Sequence, residues 1–197
     1  MNSYPILVAT CQTAPGASHS MLHQAAYRLL YEQTANYLNE TISEIKASTI
    51  VHNEYGKPYF RNLPVAFNLS HTKGMCACIL ATGEPGWEVG IDIEALRPYK
   101  ENVAKRIFSQ AENDYVQQSC SKEEAFTKLW TLKEAYVKAI GKGLSFPLDK
   151  AAFRIENNDE IIFSDPDCCF TQKTLVTPQG TFFLSTAAVP PKHLSHI

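Results

Sequence analysis

The first 27 residues contain no lysine or arginine, and Arg28 is the first basic residue of that kind. A start without a basic segment does not read as a secretory signal. No apolar run approaches the roughly 20 residues that cross a bilayer. Excess positive charge is also missing. Eighteen Lys and Arg against 20 Asp and Glu leave a formal net charge of -2. That balance argues against broad binding to nucleic acid or to an anionic membrane, although a locally basic pocket stays open. The six cysteines, Cys11, Cys76, Cys78, Cys120, Cys168 and Cys169, include no C-x-x-C, and their C-x-C and C-C pairs fit no zinc spacing. Adjacent Cys168 and Cys169 do not readily bond to each other, and Cys76 and Cys78 in MCACIL read as small buried apolar residues. The expectation is a cytoplasmic protein with free thiols.

Two catalytic signatures are absent as well. No G-x-S-x-G surrounds Ser70 in FNLSH, so a serine nucleophile is not expected. The glycines of GKGLS have the wrong spacing for a phosphate-binding G-x-x-x-x-G-K-[ST] loop.

What remains is an ordinary globular chain of 197 residues, 45% hydrophobic and 19% charged, long enough for one large domain or two small ones. ILVATC reads as a strand closed by the Pro15-Gly16 turn, and residues 18–46 carry helical spacing. AFNLSH, MCACILAT and WEVGIDIE read as strands. A second helical region starts near Val103, with Ser109 as an N-cap, and a longer helix runs from Lys122 to Ile140 before Gly141 and Gly143 stop it. FRIE, EIIFS, CCFTQKTLV and TFFLSTAAV complete an antiparallel run. Helix plus meander thus occurs twice, which suggests two similar halves meeting near Arg97-Pro98.

In VGIDIE, Asp92 and Glu94 alternate with Ile91 and Ile93, so the two acids share one strand face. Acids on a half-buried face need a cation: a salt bridge, or Mg²⁺, which takes a few carboxylates plus phosphate oxygens. Taken alone, the stretch favours a solvated acidic edge. Downstream, Glu134 and Lys138 lie four apart on the long helix, the spacing of a common surface ion pair. Lys142 stands between two glycines, and Gly56-Lys57-Pro58 presents another lysine on a rigid turn. Ser70 and His71 at a strand end suit phosphate oxygens.

In order, GKP, FNLSH, GIDIE and W-x-x-KEA-x-x-K-x-x-GKGL resemble the 4'-phosphopantetheinyl transferase superfamily, in its larger, Sfp-like class. The resemblance implies an α+β (α/β) fold of two subdomains, 1–97 and 98–197, related by a pseudo-twofold. Each would be a helix on a small antiparallel sheet, with the active site in the cleft between them. It implies transfer of phosphopantetheine from coenzyme A to a serine of an acyl or peptidyl carrier protein, with release of 3',5'-ADP. Asp92, Glu94 and Glu134 would hold Mg²⁺, or Mn²⁺ in its place. Lys138, Lys57, Ser70, His71 and Arg28 would contact coenzyme A, with Lys138 also stabilising transition-state charge. Glu134 or Glu112, the latter in FSQAENDY, would take the serine's proton. A monomer is expected. The N-terminal stretch departs from the pattern, because larger members carry basic residues there for the 3'-phosphate, and here only His19 and His23 stand nearby. A catalytically silent relative that binds coenzyme A or a carrier protein is the alternative.

Overall fold

The computed structural model describes residues 6–81, 86–156 and 160–194. Strand β1 (Ile6–Gln12) leads into helix α1 (His19–Leu38), whose N-cap is Ser18. The helical spacing expected through residue 46 breaks at Asn39, which adopts a left-handed conformation with φ 55°. Asn tolerates that conformation better than most residues. The chain restarts as α2 (Ile42–Ala47) behind a Thr41/Glu44 capping box. A short hairpin of β2 (Ile50–His52) and β3 (Pro58–Phe60) follows, then β4 (Ala66–Thr72), β5 (Met75–Ala81) and β6 (Glu88–Ala95). Thr82, at the end of the expected third strand, lies outside the described residues.

Helices α3 (Glu101–Ile107) and α4 (Gln110–Gln118) precede the long α5 (Lys122–Ile140). Ser109 caps α4 as its position suggests, in a capping box with Glu112, and Gly141 ends α5 in a left-handed conformation at φ 70°. Two 3₁₀ turns, Gly143–Ser145 and Leu148–Lys150, lead to β7 (Phe153–Ile155), β8 (Ile161–Phe163), β9 (Cys169–Thr177), β10 (Gly180–Val189) and the short α6 (Pro191–Leu194).

The protein is α+β, with two three-stranded antiparallel sheets, β1-β5-β4 and β6-β10-β9, and two separate hairpins. The expected meanders are therefore redistributed. Strand β6 pairs with β10 and not with β5, and β7-β8 stands apart from β9-β10. Alternation explains the stacking. Along β5, Met75, Ala77 and Ile79 pack with Val89, Ile91 and Ile93 of β6, joining the two sheets face to face. Cys76, Cys78 and Leu80 point the other way, toward α1 residues Leu22, Ala26, Leu29 and Leu30. The second sheet is covered by α5, which is buried over most of its surface. Among the described residues the layers run α1, sheet, sheet, α5.

The edges of the two sheets meet where β4 lies beside β6. Asn68 Oδ1 accepts from the Ile91 N–H (3.1 Å) and Ser70 Oγ accepts from the Ile93 N–H (3.3 Å). Both pairs are 23 residues apart, so the strands run parallel, with side chains replacing a backbone ladder.

Candidate active site

On β6, Gly90, Asp92 and Glu94 share the face that α5 covers. A Cβ at Gly90 would sit 1.9 Å from Ala135 O and 2.5 Å from Ala139 N, so only glycine lets the helix come this close. That close approach brings the next turn of α5, carrying Glu134 and Lys138, over Asp92. The two glutamates and the aspartate, separated by 40 residues of chain, face one cavity of about 300 Å³ together with Ser70, His71, Trp130 and Lys138.

Lys138 Nζ donates to Asp92 Oδ1 at 2.6 Å, to Ser70 Oγ at 3.0 Å and to Ile91 O at 3.2 Å. Ser70 Oγ in turn donates to Asp92 Oδ1 at 2.9 Å. Asp92 is 5% exposed, and its other oxygen, Oδ2, is buried without a hydrogen-bond partner. An orphaned buried carboxylate oxygen is costly and calls for a cation or a donor. Glu94 is held by Arg97 at 2.6 Å and, at 3.4 Å, by Thr72 Oγ1. Burial first, and the Asp92 carboxylate second, push both Glu94 and Glu134 above the usual carboxylate range, while Lys138 and Arg97 pull the other way.

The chemistry of the donor set suits a hard divalent cation, since three carboxylates line one cavity and one buried oxygen lacks a partner among the described residues. Among the described residues, no three His, Cys, Asp or Glu groups stand close enough together to hold a metal ion in this arrangement. Lys138 and Arg97 occupy two of the acids instead.

A second cavity of about 360 Å³ adjoins the first and shares Leu69, Glu134 and Lys138 with it. Tyr55, Pro58, Val137, Phe146 and Leu148 line its walls, beside Gly56 and Lys57. Lys57 reaches this region, but its ammonium is already held by Glu88 (2.5 Å), Ala139 O (2.7 Å) and Val89 O (3.3 Å). It ties the GKP turn to β6 and to the end of α5, as does Asn53, which donates to Gly141 O at 2.9 Å. Burial pulls the Lys57 ammonium below its ordinary value.

His71 stands at the rim, edge-on to His19 (ring centroids 5.0 Å apart) and 6.4 Å from the His23 ring. Burial, then the neighbouring His19, His23 and Lys138, pull its pKa down. The two N-terminal histidines thus lie against His71, which lines the first cavity.

Two expected site residues are not brought to this group. Glu112 is 1% exposed and lines neither cavity. Its carboxylate accepts from Lys133 (2.9 Å), from the Phe153 N–H (2.9 Å) and from the Ser109 N–H (2.6 Å). Lys133 in turn donates to Leu148 O and Ala151 O, so this buried pair fastens α4 and α5 to the segment that walls the second cavity. Glu112 is a clamp. Arg28 is largely exposed, pairs with Glu32 within its own helix and lines neither cavity.

Residues the motif reading missed include Arg97, whose guanidinium stacks 4.4 Å from the Trp130 ring while it holds Glu94. Its spacing of three from Glu94 was the available signal. Asn68 and Gly90 were inside quoted motifs, but their roles depend on which strand and helix pass beside them.

Residues 88–178 match the family model described as the 4'-phosphopantetheinyl transferase superfamily. A 4'-phosphopantetheinyl transferase of Bacillus subtilis is 38% identical over 117 residues, covering 58% of this chain and 50% of that protein. The 4'-phosphopantetheinyl transferase Sfp of Bacillus subtilis strain 168 is 36% identical over 142 residues, covering 69% and 60%. The chain thus spans between half and three fifths of the length of these curated relatives. Among solved structures, the holo-[acyl-carrier-protein] synthase of Thermotoga maritima overlaps 52% of this chain and 62% of that one, at 22% identity and a TM-score of 0.43, too slight to argue from. The matched segment runs through Asp92, Glu94, Glu134 and Lys138, so the stretch that supplies most of the first cavity is similar in sequence to the 4'-phosphopantetheinyl transferase superfamily.

Proposed function

We propose that this chain transfers the 4'-phosphopantetheine arm of coenzyme A to a serine of an acyl or peptidyl carrier protein and releases 3',5'-ADP. The observation that carries this reading is the partnerless Asp92 Oδ2, buried beside two further acids whose charge is disfavoured. Asp92, Glu94 and Glu134 would hold Mg²⁺, or Mn²⁺ in its place. When bound, such a cation offsets the charge of the pyrophosphate and of the departing nucleotide phosphate.

The protein's own groups do the rest. Lys138 stands between the two cavities and offers its ammonium to phosphate oxygens, where it stabilises charge developing on the leaving group. Ser70 and His71 bound the phosphate side. The apolar walls of the larger cavity, Tyr55, Pro58 and Phe146, suit a nucleoside. Burial raises the Glu134 pKa above its ordinary value, which supports a role for it in taking the proton of the incoming serine directly or through a water. Arg97 and Trp130 brace Glu94. Every group invoked comes from one chain, from segments on both sides of residue 97, so a monomer with two subdomains suffices.

Incubation with Mg²⁺, coenzyme A and several apo carrier proteins tests the reading by carrier mass. The expected gain is one phosphopantetheine arm on the carrier. No gain on any carrier, with coenzyme A binding retained, would overturn it in favour of a silent coenzyme A-binding relative.

A further inference from the structure

Cys11 on β1 and Cys76 on β5 are directly opposed in the antiparallel register. The Thr13 N–H donates to Gly74 O at 2.9 Å, which places the 13/74 pair at a hydrogen-bonded position of the ladder. Pairs of that type alternate along an antiparallel ladder, so Cys11 and Cys76 form another, with Cα atoms about 5.5 Å apart. A disulfide spans Cα separations of roughly 4.4–6.8 Å. Both side chains lie on the α1 face of the sheet, in one small cluster with Leu22 and Ala26. Cys76 Sγ donates its one proton to Leu22 O at 3.3 Å.

The pair is asymmetric. Cys11 sits on the edge strand and is partly exposed, whereas Cys76 is 0% exposed. The adjoining Cys76 thiol first, and the Arg28 charge after it, lower the Cys11 pKa against the effect of burial, while the pairing and burial raise that of Cys76. Cys78, two residues along, lacks such a partner, and burial drives its thiol up to about 12. An accessible thiol that ionises readily beside a buried thiol within bonding reach is the arrangement of an attacking and a resolving cysteine.

The geometry points to a Cys11/Cys76 dithiol that reacts with low-molecular-weight disulfides and closes into an intramolecular cross-strand disulfide. The Cys11 thiolate attacks one sulfur of the small disulfide, whose S–S bond breaks and releases one thiolate. The Cys76 thiol then gives up its proton and attacks Cys11 Sγ, expelling the second thiolate. In sum, two protein thiols lose two electrons and two protons, and the small disulfide becomes two thiols. The site is independent of the transferase reading. It lies one strand from the active cavity, because Cys76 is also the cross-strand partner of His71.

The test is to expose the native chain to glutathione disulfide, then denature and alkylate it, and map the peptides by mass. The wild type is expected to lose two of its six alkylatable thiols, in one linked peptide pair joining Cys11 to Cys76, and to regain both with dithiothreitol. Cys76→Ser is expected to stop at a glutathione adduct on Cys11, and Cys11→Ser to leave Cys76 alkylatable. Glutathione adducts confined to exposed Cys120 or Cys169 would overturn the proposal, as would a Cys11 adduct in the wild type that never resolves. The wild-type map decides the matter even where a variant fails to fold.

Discussion

At the scale of single residues, two buried acids of this chain have opposite duties. Asp92 keeps one oxygen without a partner beside a cavity, while Glu112 has each oxygen engaged and lines neither of the two cavities described. An acid that meets substrate charge should cost rate when altered, and one that holds a buried lysine should cost stability. Asp92→Asn and Glu134→Gln are therefore expected to lower kcat by about 10²-fold or more with little change in thermal unfolding. Glu112→Ala is expected to destabilise the fold by about 3 kcal/mol, because it strands the Lys133 ammonium, while the folded fraction keeps most of its turnover. Steady-state kinetics paired with chemical denaturation separates the two. A large kcat loss in Glu112→Ala at unchanged stability would return Glu112 to the chemistry.

At the scale of elements, the contact between β6 and α5 governs the site. Gly90 has an ordinary backbone conformation, so its requirement is purely one of space. Adding a methyl group must lift α5 at Ala135 and Ala139, the turns that flank Glu134 and Lys138. Gly90→Ala is expected to lose more than the roughly 1–3 kcal/mol of ordinary overpacking, since the obstacle is backbone. Its kcat should fall with its melting temperature, and X-ray analysis should find the Lys138–Asp92 contact lengthened. An unchanged melting temperature would show that the helix can yield.

The same contact shows what a reader of the sequence can and cannot see. Helix α5 was legible from its spacing and its closing glycine, and α4 from Ser109 and Glu112, because caps and periodicity are local. The set of three acids and Lys138 was legible only as ordered motifs. The partner of β6 was not legible, since β5 and β10 offer equally apolar faces and only the packing of the whole sheet selects one. The duty of Glu112 was hidden for a similar reason: Lys133, within an apolar stripe of α5, gave no sign that it bends back to carbonyls of the 148–151 segment.

At the scale of the whole molecule, acid crowding makes stability depend on pH and on cations. Glu94 and Glu134 have folded-state pKa values raised above the unfolded value near 4.5. A raised carboxyl pKa favours folding where the group is protonated, and that advantage is lost as pH climbs from the unfolded value through the folded one. Above that window the pair opposes folding unless positive charge is supplied. Saturating Mg²⁺ is expected to raise the melting temperature by on the order of 5 °C at pH 8 and by much less at pH 5, where protons compete for the same oxygens. Asp92→Asn should abolish the difference. Scanning calorimetry at both pH values checks this, and an equal increment at both would overturn it.

The parallel seam between β4 and β6 has one further consequence. Because Asn68 and Ser70 receive the N–H groups of Ile91 and Ile93, two backbone amides deep in the molecule are protected by side chains alone. Their hydrogen exchange with solvent reads the docking of one sheet on the other, separately from the unfolding of either. Ser70 also supports Asp92, so the Ile93 amide is a spectroscopic gauge of the active site, measurable without substrate.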